Sequence, residues 1–191
     1  MFQNPTNAAR IFLGRYYFDE NMAHGFSQAF TRYSWESIQT WVGYNITQIR
    51  NLAGNVDRID YLGGATFATD ENNGDKSSWG VTIGDYINIS IRDEIVGSFS
   101  DRVLSDQLFM HEYGHTMDSQ LWGIGYLPFI GAPSGLSAWL STSEHRHFWT
   151  EIRANKWAKK YFGKHYGVDW NGSAGMYYRS YKSIEEVYPT K

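Results

Sequence analysis

The stretch HEYGH, residues 111–115, brings together side chains that can bind a metal ion and use it in catalysis. On a helix, residues four positions apart lie on one face with Cβ atoms about 5–6 Å apart, so His111 and His115 can reach the same ion. In this H-E-x-x-H spacing the glutamate, Glu112, acts as general base toward a zinc-bound water. The stretch therefore predicts one Zn²⁺ ion bound by the two histidines, and a catalytic Glu112.

A third ligand is needed, because a catalytic zinc usually takes three protein ligands and the motif alone would arise by chance in about one such sequence in a hundred. The chain contains no cysteine, so the ligand must be histidine or carboxylate. The extended metzincin motif would require glycine at position 118 and histidine or aspartate at 121. The chain has Asp118 and Leu121 there, which excludes that class.

Glu151 is the predicted third ligand. It lies in the helical segment TEIRANKWA, with Asn155 four residues later on the same face. Metal-bound histidines generally donate their other ring N–H to an oxygen, and the Asn155 side-chain carbonyl could accept it. His145 and His147 remain alternatives, since either could replace Glu151 or hydrogen-bond an oxyanion.

The chain before the motif is predicted to form helices and then strands. Apolar residues recur at threes and fours from Ser27 to Leu52, with Gly54 as a stop, which predicts one long or two short packed helices. Residues 58–70 and 79–91 are rich in β-branched and aromatic side chains around a polar, glycine-containing loop. They predict a hairpin or two neighbouring strands.

The motif itself is predicted to lie on a helix whose histidines face the core. Ser100, Asp101 or Ser105 could cap the start of this helix, and Gly123 is placed to end it. The following residues, 123–141, are apolar but broken by Gly and Pro, and we expect a buried connector.

A last helix is predicted over residues 147–162, ending at Gly163. Its small residues Ala154 and Ala158 would let it approach the motif helix closely.

Composition narrows the classes of partner. With 191 residues, 42% of them hydrophobic, the chain can form one domain, residues 1–191, with a substantial core. A net charge of −3 argues against nucleic acid as a partner. There is no apolar run of about 18 residues and no secretory signal pattern, so we expect no membrane span. Nothing in the sequence indicates an oligomeric state.

His111, Glu112, His115 and Glu151, the last in an E-x-x-A-N setting, resemble the gluzincin branch of the zincin metallopeptidases. The resemblance implies an α+β zincin-like fold, with the active-site helix packed beside a small mixed β-sheet and further helices. It also implies a peptide or protein substrate, which would add along a sheet edge. Several gluzincins have aspartate at the position of Asn155. This chain therefore departs from the pattern in the residue expected to hydrogen-bond a metal-binding histidine.

A closer resemblance covers most of the chain. Five segments follow one another in the order WGVTIGDYIN, LFMHEYGHTMDSQLWG, YLPFIGAPSGLSA, H-x(5)-E-x-x-A-N and KKYFG. This order is similar to that in metallopeptidase domains of bacterial proteins, some of them at the C-terminal end of RHS-repeat proteins. In that pattern His145 corresponds to a histidine six residues before the glutamate. The resemblance implies extracytoplasmic or secreted use.

The sequence as a whole favours a zinc metalloendopeptidase-like hydrolase. One alternative is a non-catalytic module in which zinc, or the same polar cluster without zinc, cross-links two helices for stability or partner binding. Another is a glycan-binding domain, since the chain has 8 tryptophans and 14 tyrosines. Loss of turnover without loss of metal in Glu112→Gln would distinguish the enzyme from both.

Overall fold

The structure, a computed structural model, describes residues 4–74, 77–140, 145–173, 178 and 180–191. Within these ranges the chain forms the helices and strands α1 Pro5–Leu13, α2 Met22–Arg32, α3 Ser37–Leu52, β1 Arg58–Leu62, β2 Ala65–Asp70, β3 Trp79–Ile83, β4 Tyr86–Ser90, α4 Phe99–Ser105, α5 Gln107–Trp122, α6 Ala132–Leu140, α7 Trp149–Tyr166 and α8 Ile184–Val187. The predicted α+β class is confirmed.

The four strands form one mixed sheet in the order β1-β2-β4-β3. β1 and β2 are antiparallel, β3 and β4 are antiparallel, and the two hairpins join through the parallel pair β2 and β4. Both predicted strand segments therefore form hairpins, although residues 75 and 76 of the loop between them lie outside the described ranges. Among the described strands β3 pairs with β4 alone, which leaves its other edge open.

The two faces of the sheet carry different helices. Successive strand residues point to opposite faces, so Phe67, Ile87 and Ile89 pack with α5 and α7 in the larger apolar cluster. On the other face Ala68 and Tyr86 pack with residues of α1 and α3. The motif helix α5 lies between the sheet and α7, and its first ten residues, Gln107–Thr116, are all buried.

The close contact between α5 and α7 depends on small residues. Ala154 and Ala158 of α7 are fully buried, as the sequence predicts. On α5 the matching small residue is Gly114, inside the motif itself. A Cβ added to Gly114 would lie 2.0 Å from the carbonyl oxygen of Ala154. The backbone of α7 thus touches α5 beside both histidines.

The predicted N-terminal helical region forms two helices, α2 and α3, but none of the periodic apolar side chains is among their buried residues. The large apolar side chains of α3, among them Trp41 and Ile49, are exposed. Its buried face carries Gln39, Thr40, Gly43, Thr47 and Asn51. The reason is the partner surface, because the sheet offers polar groups there: Asn88 Nδ2 donates to Thr47 Oγ1 at 3.0 Å.

Two predicted helix boundaries also differ. The motif helix begins later than expected, since Asp106 has extended backbone and its side chain caps the Leu108 N–H, while Ser98 caps the separate α4. Gly123 ends α5 as predicted, with φ 51°. The last helix continues past Gly163 and ends at Gly167, whose φ of 70° is left-handed.

The connector is not buried as predicted. It forms a 3₁₀ turn, a π-helical turn over Leu127–Gly131 and the helix α6. No residue of α6 is buried, whereas Tyr126 and Ile130 before it are. Position 141, at its end, lies outside the described residues. None of the helices in the described ranges combines the length and the apolar character needed to cross a bilayer.

Candidate metal centre

Three of the predicted site residues meet at one point. His111 and His115 extend from α5, Glu151 extends from the first turn of α7, and all three side chains are buried. Glu151 Oε2 lies 3.1 Å from His111 Nε2 and 3.5 Å from His115 Nε2. One ligand atom from each residue lies within 4.8 Å of the other two. The structure therefore brings together the three ligands predicted from the sequence.

This geometry fits a small divalent ion. Bonds of about 2.0–2.2 Å from tetrahedral zinc to nitrogen and oxygen place ligand atoms about 3.4 Å apart. The two distances from Glu151 Oε2, 3.1 and 3.5 Å, lie on either side of that value. Two imidazoles and one carboxylate also form the donor set of a catalytic zinc site that keeps a position open. The buried cluster could hold a metal ion.

Hydrogen bonds fix the orientation of the His111 ring. Its Nδ1 lies 2.7 Å from Asn155 Oδ1, and the Asn155 amide nitrogen donates to the carbonyl of Pro189 at 2.8 Å. Because the amide nitrogen is already committed, the oxygen must face the histidine and accept a proton from Nδ1. With Nδ1 committed to Asn155, Nε2 is the His111 atom that faces Glu151 and could bind a metal ion. The predicted contact of Asn155 is present.

The electrostatics of the cluster favour a bound cation. Burial opposes ionisation of Glu151, but His115 and His111 together hold the pKa of this carboxyl well below its ordinary value. Burial also lowers the pKa of His115, yet the carboxylates of Glu151, Glu112 and Asp118 outweigh this and raise it to about 9. The carboxylates thus concentrate negative charge around the histidines.

Glu112 is held beside the cluster by the edge strand. The hydroxyl of Thr82, on β3, donates to Glu112 Oε2 at 2.7 Å. Gly80 on the same strand makes room for the side chain, since a Cβ there would lie 2.5 Å from Glu112 Cγ. The predicted general base therefore occupies a fixed position between the metal ligands and the open edge of the sheet.

A cavity of about 430 Å³ opens onto the three ligands and Glu112. It runs between β3 and α6, and its wall is mainly apolar. The larger side chains that line it are Trp79, Val81, Leu108, Tyr126 and Tyr188. Such a concave, mostly apolar site with a few convergent polar groups is the usual form of a small-molecule or peptide site.

Comparison with models of known protein families, with curated proteins and with solved structures finds no match for this chain. The chemistry of the site is therefore inferred from the geometry of its residues.

Of the remaining histidines, His145 reaches the site and the others do not. His145 Nε2 lies 3.6 Å from Glu151 Oε2 on the cavity wall, and its Nδ1 contacts Ser137 Oγ at 3.2 Å. His147 is exposed and accepts a hydrogen bond from Arg146. His145 is thus close enough to contact a substrate, whereas Glu151 occupies the position of the third ligand.

Asp118 is neither a surface group nor a ligand. It is fully buried, and its Oδ1 accepts hydrogen bonds from Arg153 and from the Trp157 indole. This arrangement links the end of α5 to α7 one turn beyond His115.

Several residues of the site are not evident from the sequence. Thr82 positions Glu112, Ser134 Oγ donates to Glu151 Oε1 at 2.6 Å, and Pro189 orients Asn155. The Tyr188 ring contacts that of His111, with centroids 5.0 Å apart. No spacing rule connects these residues to the motif. The one local signal is the pair of serines three residues apart in APSGLSA, Ser134 and Ser137. This pair points to the site only once the structure shows α6 lying over it.

Proposed function

We propose that the protein is a zinc-dependent metalloendopeptidase-like hydrolase with a zincin-like fold. The observation that carries the proposal is the convergence of His111, His115 and Glu151 at the cavity floor, with Glu112 fixed beside them by Thr82. A site that only needed to bind metal for stability would have no use for a carboxylate held beside an open cavity.

A Zn²⁺ ion bound there would supply a Lewis acid that polarises a carbonyl and acidifies a water molecule. The ligands would be His111 and His115 through Nε2 and Glu151 through Oε2. Zinc is favoured over iron, which also binds two histidines and a carboxylate, because H-E-x-x-H places a general base next to the first ligand.

Glu112 would provide the proton transfers. Thr82 holds its Oε2, and among the described residues no hydrogen bond occupies Oε1. The carboxylate can therefore take a proton from the attacking water and return it to the leaving nitrogen, so that one side chain acts first as base and then as acid. His145 lies on the same wall and could donate a hydrogen bond to the developing oxyanion.

The open edge of β3 would bind the substrate backbone. β3 pairs with β4 on one side only, and its residues Trp79 and Val81 are partly exposed along the cavity. An extended peptide can add to such an edge as a further strand, through main-chain hydrogen bonds. This would place a scissile bond across Glu112 and the metal ligands, and accounts for a peptide or protein substrate.

The test is metal content and peptide cleavage in three proteins purified side by side without chelator. Wild type should carry about one zinc per chain and cleave members of a peptide library. Glu151→Ala should lose most of the metal, and Glu112→Gln should keep it but lose turnover. Elemental analysis distinguishes zinc from iron.

Other outcomes would contradict the proposal. Equal turnover in Glu112→Gln and wild type would remove the assigned base. Bound zinc with no cleavage, together with a fall in melting temperature on chelation, would favour the structural module. Binding of polysaccharide that survives chelation would favour the glycan-binding alternative.

A further inference from the structure

Helix α6 contacts the metal centre without being packed into the fold. None of its residues is buried, and Leu136, Trp139 and Leu140 are exposed. Two hydroxyls three residues apart, hence on one face, nevertheless reach the site. Ser134 Oγ lies 2.6 Å from Glu151 Oε1, and Ser137 Oγ lies 3.2 Å from His145 Nδ1.

The two oxygens of Glu151 have different partners. Oε2 faces the histidines, 3.1 Å from His111 Nε2 and 3.5 Å from His115 Nε2. Oε1 faces away and accepts hydrogen bonds from Ser134 at 2.6 Å and from Thr150 at 3.0 Å. Thr150 is its neighbour on α7, so Ser134 is the donor to Oε1 that comes from another element of the described chain.

We propose that Ser134 is a positioning residue for the metal centre. Its hydroxyl holds Glu151 with a single oxygen toward the ion, and the same bond fastens α6 over the cavity. The terminal torsion of a glutamate side chain is soft. Without Ser134 the longer contact from Thr150, at 3.0 Å, would remain, and it would restrain rotation of the carboxylate less strongly. The inference rests on the metal site of the proposed function but not on hydrolysis.

The structure also indicates why loss of this hydroxyl should spare the fold. Ser134 lies on a helix with no buried side chain, and alanine is a better helix former than serine. Ser134→Ala should therefore leave the metal-free protein as stable as wild type. A change in metal affinity would then report on Glu151 and not on unfolding.

The experiment measures zinc dissociation constants by competition with a chromophoric chelator for wild type, Ser134→Ala, Ser134→Thr and Ser137→Ala. Loss of a residue that hydrogen-bonds a metal ligand typically weakens metal binding about 10–100-fold. That loss is expected for Ser134→Ala, with partial or full recovery in Ser134→Thr, which keeps the hydroxyl. Ser137→Ala is the matched control on the same helix face, and it should stay within about threefold of wild type because His145 is not a ligand.

Hydrogen exchange supplies a second readout. In wild type, zinc should slow exchange of the amides in residues 127–140, and in Ser134→Ala this protection should disappear while the metal-free melting temperature is unchanged. Equal zinc affinity in Ser134→Ala and wild type would overturn the inference while leaving the proposed metal site intact. Absence of zinc binding by wild type would instead overturn both.

Discussion

Asn155 Oδ1 accepts a hydrogen bond from His111 Nδ1 at 2.7 Å, and this contact connects a predicted metal ligand to the C-terminal tail. The Asn155 amide nitrogen donates in turn to the carbonyl of Pro189 at 2.8 Å. The orientation of His111 is therefore set by α7 and by residues that follow it, in addition to its own helix. The Tyr188 ring, in the same tail, packs against that of His111, with centroids 5.0 Å apart.

Asn155→Ala should lower zinc affinity about 10–100-fold, because His111 loses the acceptor that fixes its tautomer. Asn155→Asp retains an acceptor and should bind zinc more tightly than the alanine variant, although it cannot donate to Pro189. Competition titrations give the affinities, and metal-free melting temperatures separate tautomer control from loss of the tail contact. Equal affinity in the alanine variant and wild type would show that the contact does not tune the ligand.

Thr82→Val should reduce turnover while zinc content stays at the wild-type level. Thr82 donates to Glu112 Oε2 at 2.7 Å, and without this bond the base is free to leave its position beside the ligands. Since a general base contributes about 10²–10⁴-fold to rate, partial loss of its positioning should lower kcat about tenfold or more. The measurement is kcat on a cleaved peptide, with metal analysis on the same samples.

Thr82→Ser keeps the hydroxyl and is the matched variant. It should retain most of the wild-type kcat, and a loss as large as that in Thr82→Val would point to packing of the methyl group instead of the hydrogen bond.

Local patterns in the sequence were sufficient to predict part of the fold. The strands over residues 58–70 and 79–91 follow from side-chain type, and the end of α5 follows from Gly123, because both depend on neighbours along the chain. The buried face of α3 does not follow from its neighbours along the chain. Which of its sides faces inward depends on the sheet, whose polar residues, such as Asn88, select Thr47 over Trp41.

Some residues of the site could likewise be predicted from local patterns, and others could not. His111, His115 and the pair Glu151 and Asn155 were predictable, because i, i+4 spacing on a helix already places each pair on one face. The residues that orient them come from other elements. Thr82 precedes Glu112 by 30 residues, and Pro189 follows Asn155 by 34. Contacts of this kind are fixed by tertiary packing, which leaves no periodic signal.

Gly114→Ala should destabilise the protein and weaken its metal site. The new methyl group would lie 2.0 Å from the carbonyl oxygen of Ala154, which is backbone and cannot rotate away. α5 and α7 would have to separate, and overpacking of this kind typically decreases the free energy of unfolding by about 1–3 kcal/mol. Glu151 would then move away from the histidines, so zinc affinity should fall as well.

Gly163→Ala is the control, since it also lies within a helix but its added Cβ would meet a single atom, the Val168 carbonyl oxygen at 3.5 Å. Alanine there should increase the free energy of unfolding by about 0.5–1 kcal/mol through helix propensity. Chemical denaturation of both variants measures the difference, and a Gly114→Ala variant as stable as wild type would contradict the packing shown here.

The buried carboxyl of Glu36 should make stability depend on pH. Burial, and then the charge of Asp85, raise the pKa of Glu36 well above its ordinary value of 4.5. Its Oε2 accepts from Thr31 Oγ1 at 3.0 Å, while its Oε1 has no hydrogen-bond partner among the described residues. The folded protein therefore favours the protonated acid.

The direction of the effect follows from proton linkage. Below pH 4.5 the side chain is protonated in both the folded and the unfolded chain, so pH has no effect through it. Above that pH the unfolded chain releases the proton while the folded one retains it, and the free energy of unfolding decreases until the folded pKa is reached. Glu36→Gln, which is neutral at every pH, avoids this loss.

Melting temperatures of Glu36→Gln and wild type, measured from pH 4.5 to 8, should therefore diverge as the pH rises. At pH 8 the variant should melt at least about 2–4 °C higher, the shift that about 1 kcal/mol produces in a chain of this size. Glu20→Gln, at an exposed glutamate, removes the same charge and should show a small and constant difference. A difference for Glu36→Gln that is equally constant would mean that Glu36 is ionised in the folded protein, paired with the buried Arg32 that also contacts Asp85.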